Sequence, residues 1–410
     1  MMKFLHVDTL ESARDKLLDC ADDWLMTTEV IKSEESLGRI LAEDIFAEDN
    51  VPHFRRSTVD GYAIRSADTA AAGDSIPVFL NVKGKVDMGQ AALFSIGSGE
   101  CAEIATGGML SDGADAVVMV EYSELFGDDE VAIYSGVSYG ENVVQIGEDV
   151  KSGELLVARG KRILPQDIGT FAAAGITSIP VYSAPKMVII STGDELVFPE
   201  NTPDLGQIRD VNTHALHALG SKRGFEVVNS LVIPDDRSII EQTVQYAMEI
   251  SDIVIVSGGS SQGEKDMTRS IFEHLSVPGV FTHGLAIKPG KPTILGFDSA
   301  SKTVLIGLPG HPVAAMVVFE LLLCWLQREL TGCAMPPAIA AKVSCNIAGA
   351  PGRQSFWLAK LIWSDDGYIA EPIFGKSGLI STLSRADGYF MVNRDVEGLH
   401  KGEAVLVHLF

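Results

Sequence analysis

DIVIVSGGSSQGEKD, residues 252–266, is the run whose reading decides the fold. Its apolar stretch IVIV, bounded by turn residues, reads as a strand buried on both faces. A glycine-rich loop follows, and a charged segment then opens a helix. The same order recurs along the chain. KMVIIST (186–192) leads to Gly193-Asp194-Glu195 and a helix over about 211–223, with Gly224 as its stop. FEVVNSLVIPDD (225–236) leads to a helix over about 237–249, and TVLIGLPGHP (303–312) to one over 313–330. Strands separated by helices of this length predict a mostly parallel sheet covered on both faces, a three-layer α/β/α unit over 183–331. Ligands of such sheets bind at the carboxyl ends of the strands. Those ends carry Asp194 and Glu195, Asp235 and Asp236, Ser257-Gly258-Gly259 with Asp266, and Pro309-Gly310-His311.

Between two of these strands lies LAIKPGKP, residues 285–292. Lys288 and Lys291 sit in a segment stiffened by Pro289 and Pro292 and bent at Gly290, so the backbone can approach a ligand and hold its shape. Fixed positive charge on a rigid loop suits a phosphorylated or oxyanionic ligand. The plainer reading is a surface turn with two solvated lysines.

The rest of the chain divides by character. Residues 8–50 read as helical and polar, with DTLESARDKLLDC followed by ESLGRILAEDIFAED, where Leu37, Ile40, Leu41 and Ile45 recur at helical spacing until Pro52. Asp60-Gly61 is a turn signal. Residues 75–138 are short β-rich runs between Gly/Asp turns, and Thr106-Gly107-Gly108 is a glycine-rich turn among them. Residues 139–182 return to mixed structure, with a helix opening at Pro165 and closing before Gly175. If 51–140 is an inserted β domain, 1–50 and 141–182 form one mixed α/β domain. Residues 332–410 predict a small β-barrel or sandwich.

Composition sets limits. The 410 residues carry 32 Lys and Arg against 55 Asp and Glu, a formal charge of −23. That field repels nucleic acid and anionic membrane, and any anionic ligand needs a local basic pocket. The first residues, MMKFLHVDTLESARDKL, lack the apolar core of a signal peptide. The longest apolar run, 313–326, is too short to span a bilayer and contains Glu320, so it predicts a buried helix. The 5 cysteines are scattered without zinc-ligand spacing, which fits a reducing cytoplasm.

Carboxylates gathered at one sheet edge repel each other unless a cation sits among them. Mg²⁺ takes oxygen ligands and bridges to substrate phosphates, and glycine loops opening helices offer N–H groups to anions. The residues therefore predict a Mg²⁺-dependent site for a phosphorylated ligand. Taken singly, the acids also read as helix caps, Asp235 and Asp236 above all. SGGSSQGEKD lacks the order of a P-loop, and His311 reads alone as a satisfied loop histidine.

Set side by side, the motifs RSTVDGYA (56–63), ATGG with DGADAVVMVE (105–121), GEN and GED (140–149), STGDEL (191–196), SGG and GEKD (257–266), AIKPGKP (286–292), GLPGHP (307–312), PGR (351–353) and SGL (377–379) resemble the molybdopterin molybdenumtransferases, the MoeA family, with the gephyrin E domain as eukaryotic counterpart. The resemblance spans almost the whole chain. It implies an elongated subunit with a C-terminal β-barrel, and a homodimer whose active cleft is shared between subunits. It implies hydrolysis of adenylylated molybdopterin with loss of AMP, and Mg²⁺-assisted insertion of molybdate at the dithiolene sulfurs. A molybdopterin adenylyltransferase would supply that substrate. By motif, Asp60 and Thr106 would line the cleft from the partner subunit. Asp149, Glu195 and Asp266 would be catalytic, and Glu195, Asp235 and Asp266 metal ligands. Lys288 and Lys291 would hold phosphate or molybdate, with Ser257, Gly258, Gly259, Pro309, Gly310, His311 and Ser377 on the pterin side and Arg353 in support. The chain departs from relatives in having Val143-Val144-Gln145 after GEN where many carry Arg, Gly284 in place of Lys, and His311 in place of Asn. A tungstate-specific variant and a non-catalytic molybdopterin-binding scaffold remain the alternatives.

Overall fold

The computed structural model describes residues 7–21, 24–127, 129–258 and 262–410, without the side chains of 262–266. Gly259 and the Asp266 side chain therefore lie outside the described residues.

The central sheet has the strand order Glu226–Ile233, Lys186–Thr192, Ile253–Gly258, Thr303–Leu308, Ile294–Asp298, Pro278–His283. The first four strands run parallel, and Ile294–Asp298 runs antiparallel to both of its neighbours. Alternate residues serve opposite faces. Ile189, Ile255 and Ile306 meet the helices Leu10–Ala21 and Asn212–Arg223 and the helical run from Pro312. Val188, Val254 and Leu305 meet the residues of Arg237–Ile250 and Gln262–Leu275. Because both faces are covered, each strand reads as a continuous apolar run. Gly224 closes its helix at φ 87°, as the sequence predicts.

The last helix is one run in three pieces, α over Pro312–Phe319, π over Glu320–Cys324, and α over Trp325–Thr331. It is buried almost all round. At the π segment Arg14 donates from Nε and Nη2 to the Leu321 carbonyl at 2.9 and 2.7 Å. Glu320, itself buried, accepts from Arg223 Nε at 2.7 Å.

The strands Gln354–Ser364, Gly367–Pro372, Ile339–Val343, Ala404–Leu409 and Gly388–Val392 close on themselves into a five-strand barrel. Ala341, Val343, Ala359, Phe390, Val392, Val405 and Val407 point inward, two apart along their strands, and fill it. The third sheet has the order Ala116–Met119, Gly61–Ile64, Glu100–Ile104, Val78–Val86, Glu130–Ile133, Ser123–Phe126. It hangs on a hydrogen-bonded stalk in which Val51 bridges Val150 and Arg56–Ser57 pairs with Val143–Val144.

One predicted element is absent. ESLGRILAEDIFAED holds no α-helix. Gly38 turns at φ 77°, Ile40 bridges Arg162, Leu41 bridges Val181, and Ile45–Phe46 pairs with Leu155–Val157. The apolar positions are spaced for a helix, but strand partners from 155–182 capture the backbone, a tertiary override of local preference. The helix Leu10–Ala21 shares its core with the central sheet. Among the described residues no helix is long and apolar enough to cross a membrane.

Cys101 is buried and its thiol is pushed up to about 12 by that burial, and Cys324 is buried and pushed well up by the same cause. Cys20, Cys333 and Cys345 are half-buried. A thiol-specific disulfide reagent on the native protein should label these three and reach Cys101 and Cys324 only after unfolding, because the thiolate is the nucleophile. Immediate labelling of all five would contradict the packing.

Candidate functional site

Two clefts meet at the carboxyl ends of the parallel strands. The first, of about 390 Å³, is lined by Ser191, Glu195, Asp210, Asn212, Ser257, Gly258, Gly310 and His311. The helix Asn212–Arg223 begins at its floor, so Asn212 Nδ2 donates both to Ser257 Oγ and to the Gly310 carbonyl at 2.8 Å, tying two strand ends together. Thr213 Oγ1 donates to Ser191 Oγ at 2.7 Å. A β-carbon on Gly258 would collide with the Thr192 carbonyl and hydroxyl, so only glycine lets these strand ends approach. Among the described residues Asn212 Oδ1 and Asp210 Oδ2 are buried without hydrogen-bond partners. Buried oxygen acceptors left unmatched are costly, and a donor or hard cation would satisfy them. Glu195 is exposed on the same cleft.

The second cleft, of about 530 Å³, lies between the central sheet's loops and the barrel. The Lys288 segment pairs in parallel with the barrel strand, Ile287 opposite Gln354 and Lys288 opposite Ser355. That register brings Lys288 and Lys291 together with Arg353 and Lys376. Among the described residues none of these four cations has an ion-pair partner. Gly290 holds φ 113°, and a β-carbon there would stand 2.6 Å from Val318 Cγ2, so the bend between the prolines requires glycine. Thr293 Oγ1 fastens it by donating to the Gly290 carbonyl at 2.7 Å. His311 belongs to both clefts and shares a 2.7 Å hydrogen bond between its Nδ1 and Ser377 Oγ.

The other predicted residues fall elsewhere. Asp60 Oδ1 accepts from the Thr106 backbone N–H at 2.7 Å and from its hydroxyl at 2.9 Å, so these residues, 46 apart in sequence, form one unit on the third sheet. The Thr106 backbone bond, then its hydroxyl, holds the exposed Asp60 carboxyl below its ordinary range. Asp149 is exposed on the stalk, its N–H on the Val51 carbonyl at 3.1 Å. None of the three lines either cleft.

The two strand-end acids after Pro234 divide their roles. Asp236 caps its helix, accepting from the N–H groups of Ser238 and Ile239, and the Ser238 hydroxyl leads in lowering its carboxyl pKa. Asp235 instead donates its N–H to Asp194 Oδ1 at 3.1 Å, beside Glu195. The backbone of Asp266 is in the helix Gln262–Leu275, past its first turn. Among the described residues no three His, Cys, Asp or Glu side chains form a metal cluster. The oxygen set of Glu195, Asp210 and Asn212, with two orphaned acceptors, nevertheless fits a hard cation.

Sequence reasoning missed Asp210, Asn212 and Lys376. The first two stand in RDVN, residues 209–212, at the opening of the helix predicted from about 211, where polar residues read as helix initiation.

An α/β ligand-binding domain, carrying an oxygen-lined cleft beside a cationic one and flanked by two β units, is the class that fold and site define. Residues 8–175 match the MoeA N-terminal region (domains I and II), 188–328 the probable molybdopterin binding domain, and 340–410 the MoeA C-terminal region (domain IV). The chain is 33% identical over 412 residues to a putative molybdopterin biosynthesis protein of Methanocaldococcus jannaschii, covering 98% of this chain and 97% of that one. It is 32% identical to the molybdopterin molybdenumtransferase of Haemophilus influenzae, covering 98% of each. The crystal structure of the molybdopterin biosynthesis MoeA protein from Pyrococcus horikoshii superposes with a TM-score of 0.82 at 32% identity, over 98% of this chain and 100% of that one. The chain belongs to the MoeA family of molybdopterin molybdenumtransferases.

Replacing Thr106 by Val removes the hydroxyl bond to Asp60 and keeps the backbone one. The Asp60 carboxyl resonance, followed by NMR, should titrate below the usual carboxylate midpoint of about 3.9 in the parent and closer to it in Thr106→Val. The sign follows from the depressed value, since the contribution is present above the unfolded midpoint and fades as pH falls through the folded one. An unchanged midpoint would mean the hydroxyl does not act on Asp60.

Proposed function

We propose that this chain performs the molybdenum insertion step of molybdenum cofactor biosynthesis, taking adenylylated molybdopterin and molybdate, with Mg²⁺, and releasing AMP. The observation that carries this reading is the junction at His311 of an oxygen-lined cleft and a cationic one. A phosphorylated pterin needs hydrogen-bonding groups for its ring and positive charge for its phosphates, and molybdate is a small dianion that suits the cationic side.

In this reading Ser257, Asn212 and Gly310 hold the pterin side, and Gly258 keeps the wall open by lacking a side chain. Lys288, Lys291, Arg353 and Lys376 bind the oxyanion and the phosphate, and Ser377 orients His311 between them. Glu195, Asp210 and Asn212 would hold Mg²⁺, which when bound screens the phosphoanhydride that water splits. Asp235 supports the Glu195 loop. Pro309 shapes the loop that carries His311. Fixed charges of this kind act where charge develops and commonly account for 10²–10³ in rate.

Asp60 and Thr106 stand on a different sheet from both clefts, so the reading includes a homodimer in which the partner's copy of that sheet completes the cleft. Asp149, at the stalk, sets how that sheet is presented. It also includes the division into 1–50 with 141–182, 51–140, 183–331 and 332–410, a cytoplasmic setting, and supply by a molybdopterin adenylyltransferase.

Two tests address this. Lys288→Ala should lower AMP release from adenylylated molybdopterin by about 100-fold with the fold intact by circular dichroism. Release should need Mg²⁺ and a tetrahedral oxyanion, and supplying molybdate and tungstate separately identifies the metal handled. Tight binding without release would make the chain a scaffold. For the shared cleft, mixing inactive Asp60→Ala with inactive Lys288→Ala should restore about a quarter of parent activity, since half the dimers are mixed and each has one intact cleft. No recovery on subunit exchange would place the whole cleft within one chain.

A further inference from the structure

Away from both clefts, a third cavity of about 60 Å³ sits where the central layer, residues 155–182 and the barrel meet. It is lined by Arg162, Arg223 and Arg328, with Tyr389 and His408 entering from two barrel strands. Glu320 is the carboxylate on this wall, and it is taken up by Arg223 at 2.6 Å. Arg162 is spent on the Gly38 carbonyl and Gln327 Oε1, at 2.7 and 3.2 Å. Arg328 has neither a hydrogen-bond acceptor nor an ion-pair partner among the described residues, although it is half-buried. Three guanidinium groups against one carboxylate leave the wall strongly positive, in a chain whose formal charge is −23.

The backbone is also built for this place. Glu320 and Cys324 reach the cavity from the two ends of the π segment, and Gln327 and Arg328 follow on the next turn. Single π turns inside α-helices concentrate at functional sites. The Leu321 carbonyl in this turn accepts from the Arg14 guanidinium. The excess charge is felt locally. Burial first, and the Arg328 charge second, hold the Arg14 guanidinium down to about 10. Burial and then the Arg328 charge also lower the His408 imidazole, which favours its neutral form.

We propose that this cavity binds a free tetrahedral oxyanion, inorganic phosphate or sulfate, on Arg328 with Arg162 and Arg223, and that the bound anion ties the barrel to the central layer. The volume holds roughly four to six water-sized sites, which suits four oxygens and excludes a nucleotide. Arginine is the side chain whose fork matches such an anion, and its five donors allow Arg223 to serve Glu320 and the anion together. The bound anion would replace the missing partner of Arg328 and neutralise charge shared by residues 155–182 and the central layer, within reach of Tyr389 and His408 on the barrel.

The test uses the full chain with Lys288→Ala, Lys291→Ala, Arg353→Ala and Lys376→Ala, which removes all four cations of the competing cleft, and reads the rise in Tm on adding sodium phosphate or sodium sulfate against sodium chloride at equal ionic strength. Ligand linkage predicts a saturable rise. Adding Arg328→Gln should weaken the anion at least about tenfold, while Arg328→Lys keeps part of the effect. The readout is the increment with anion, so a lower starting Tm in a variant does not imitate the result. Should Arg328→Gln not fold, equilibrium dialysis of labelled sulfate against the parent and Arg328→Lys gives the same comparison. No saturable rise with either anion, or an equal rise in Arg328→Gln, overturns the proposal.

Discussion

Four positive side chains gathered in one cleft, with no ion-pair partner among the described residues, are the constraint on which the candidate site rests. Left in solution, Lys288, Lys291, Arg353 and Lys376 would drift apart or recruit carboxylates, and the chain has 55 to offer. They stay together because Ile287–Lys288 is a short strand bonded to the barrel strand in fixed register. The Gln354 N–H reaches the Ala286 carbonyl at 2.9 Å, and the bend at Gly290 is closed by packing on Val318. Backbone bonding and packing thus hold charges in place against their mutual repulsion. A site arranged this way meets an incoming anion without having to reorganise, which is the condition under which electrostatic stabilisation is strongest.

The same arrangement makes the barrel one wall of the cationic cleft. Its strands fill their own core, yet Arg353, Lys376 and Ser377 face the central layer. His311 marks the seam, bonded to Ser377 and open to both clefts. The oxygen-lined and cationic halves are therefore one surface bent at that residue, with the strand-end glycines Gly258 and Gly310 keeping the bend clear.

Much of this was legible from residues alone, for reasons that differ by element. The strands 186–192 and 303–308 announced themselves because burial on both faces leaves no polar alternation to confuse them. Gly224 announced a helix end because a left-handed cap selects glycine. The stretch 35–49 misled, since its apolar spacing satisfies a helix while its partners lie more than a hundred residues onward, and no local pattern encodes a distant bridge. Asp60 and Thr106 stand out by motif, but their hydrogen bonds form only through the pairing of Gly61–Ile64 with Glu100–Ile104. Asp210 and Asn212 were hidden for another reason, since their importance lies in oxygens left without partners, and a missing bond has no signature in sequence.

The stalk of the third sheet has an evolutionary consequence. Its entering and leaving chains are hydrogen-bonded neighbours, with Val51 against Val150 and Ser57 against Val143, so the ends of the whole excursion lie about 5 Å apart. A segment that leaves and returns at one point can be lengthened, shortened or exchanged for another without disturbing the register of anything outside it. The inserted sheet and the layers that carry the two clefts can therefore change at different rates. An ancestral form without the excursion would have needed only a tight turn to close the gap.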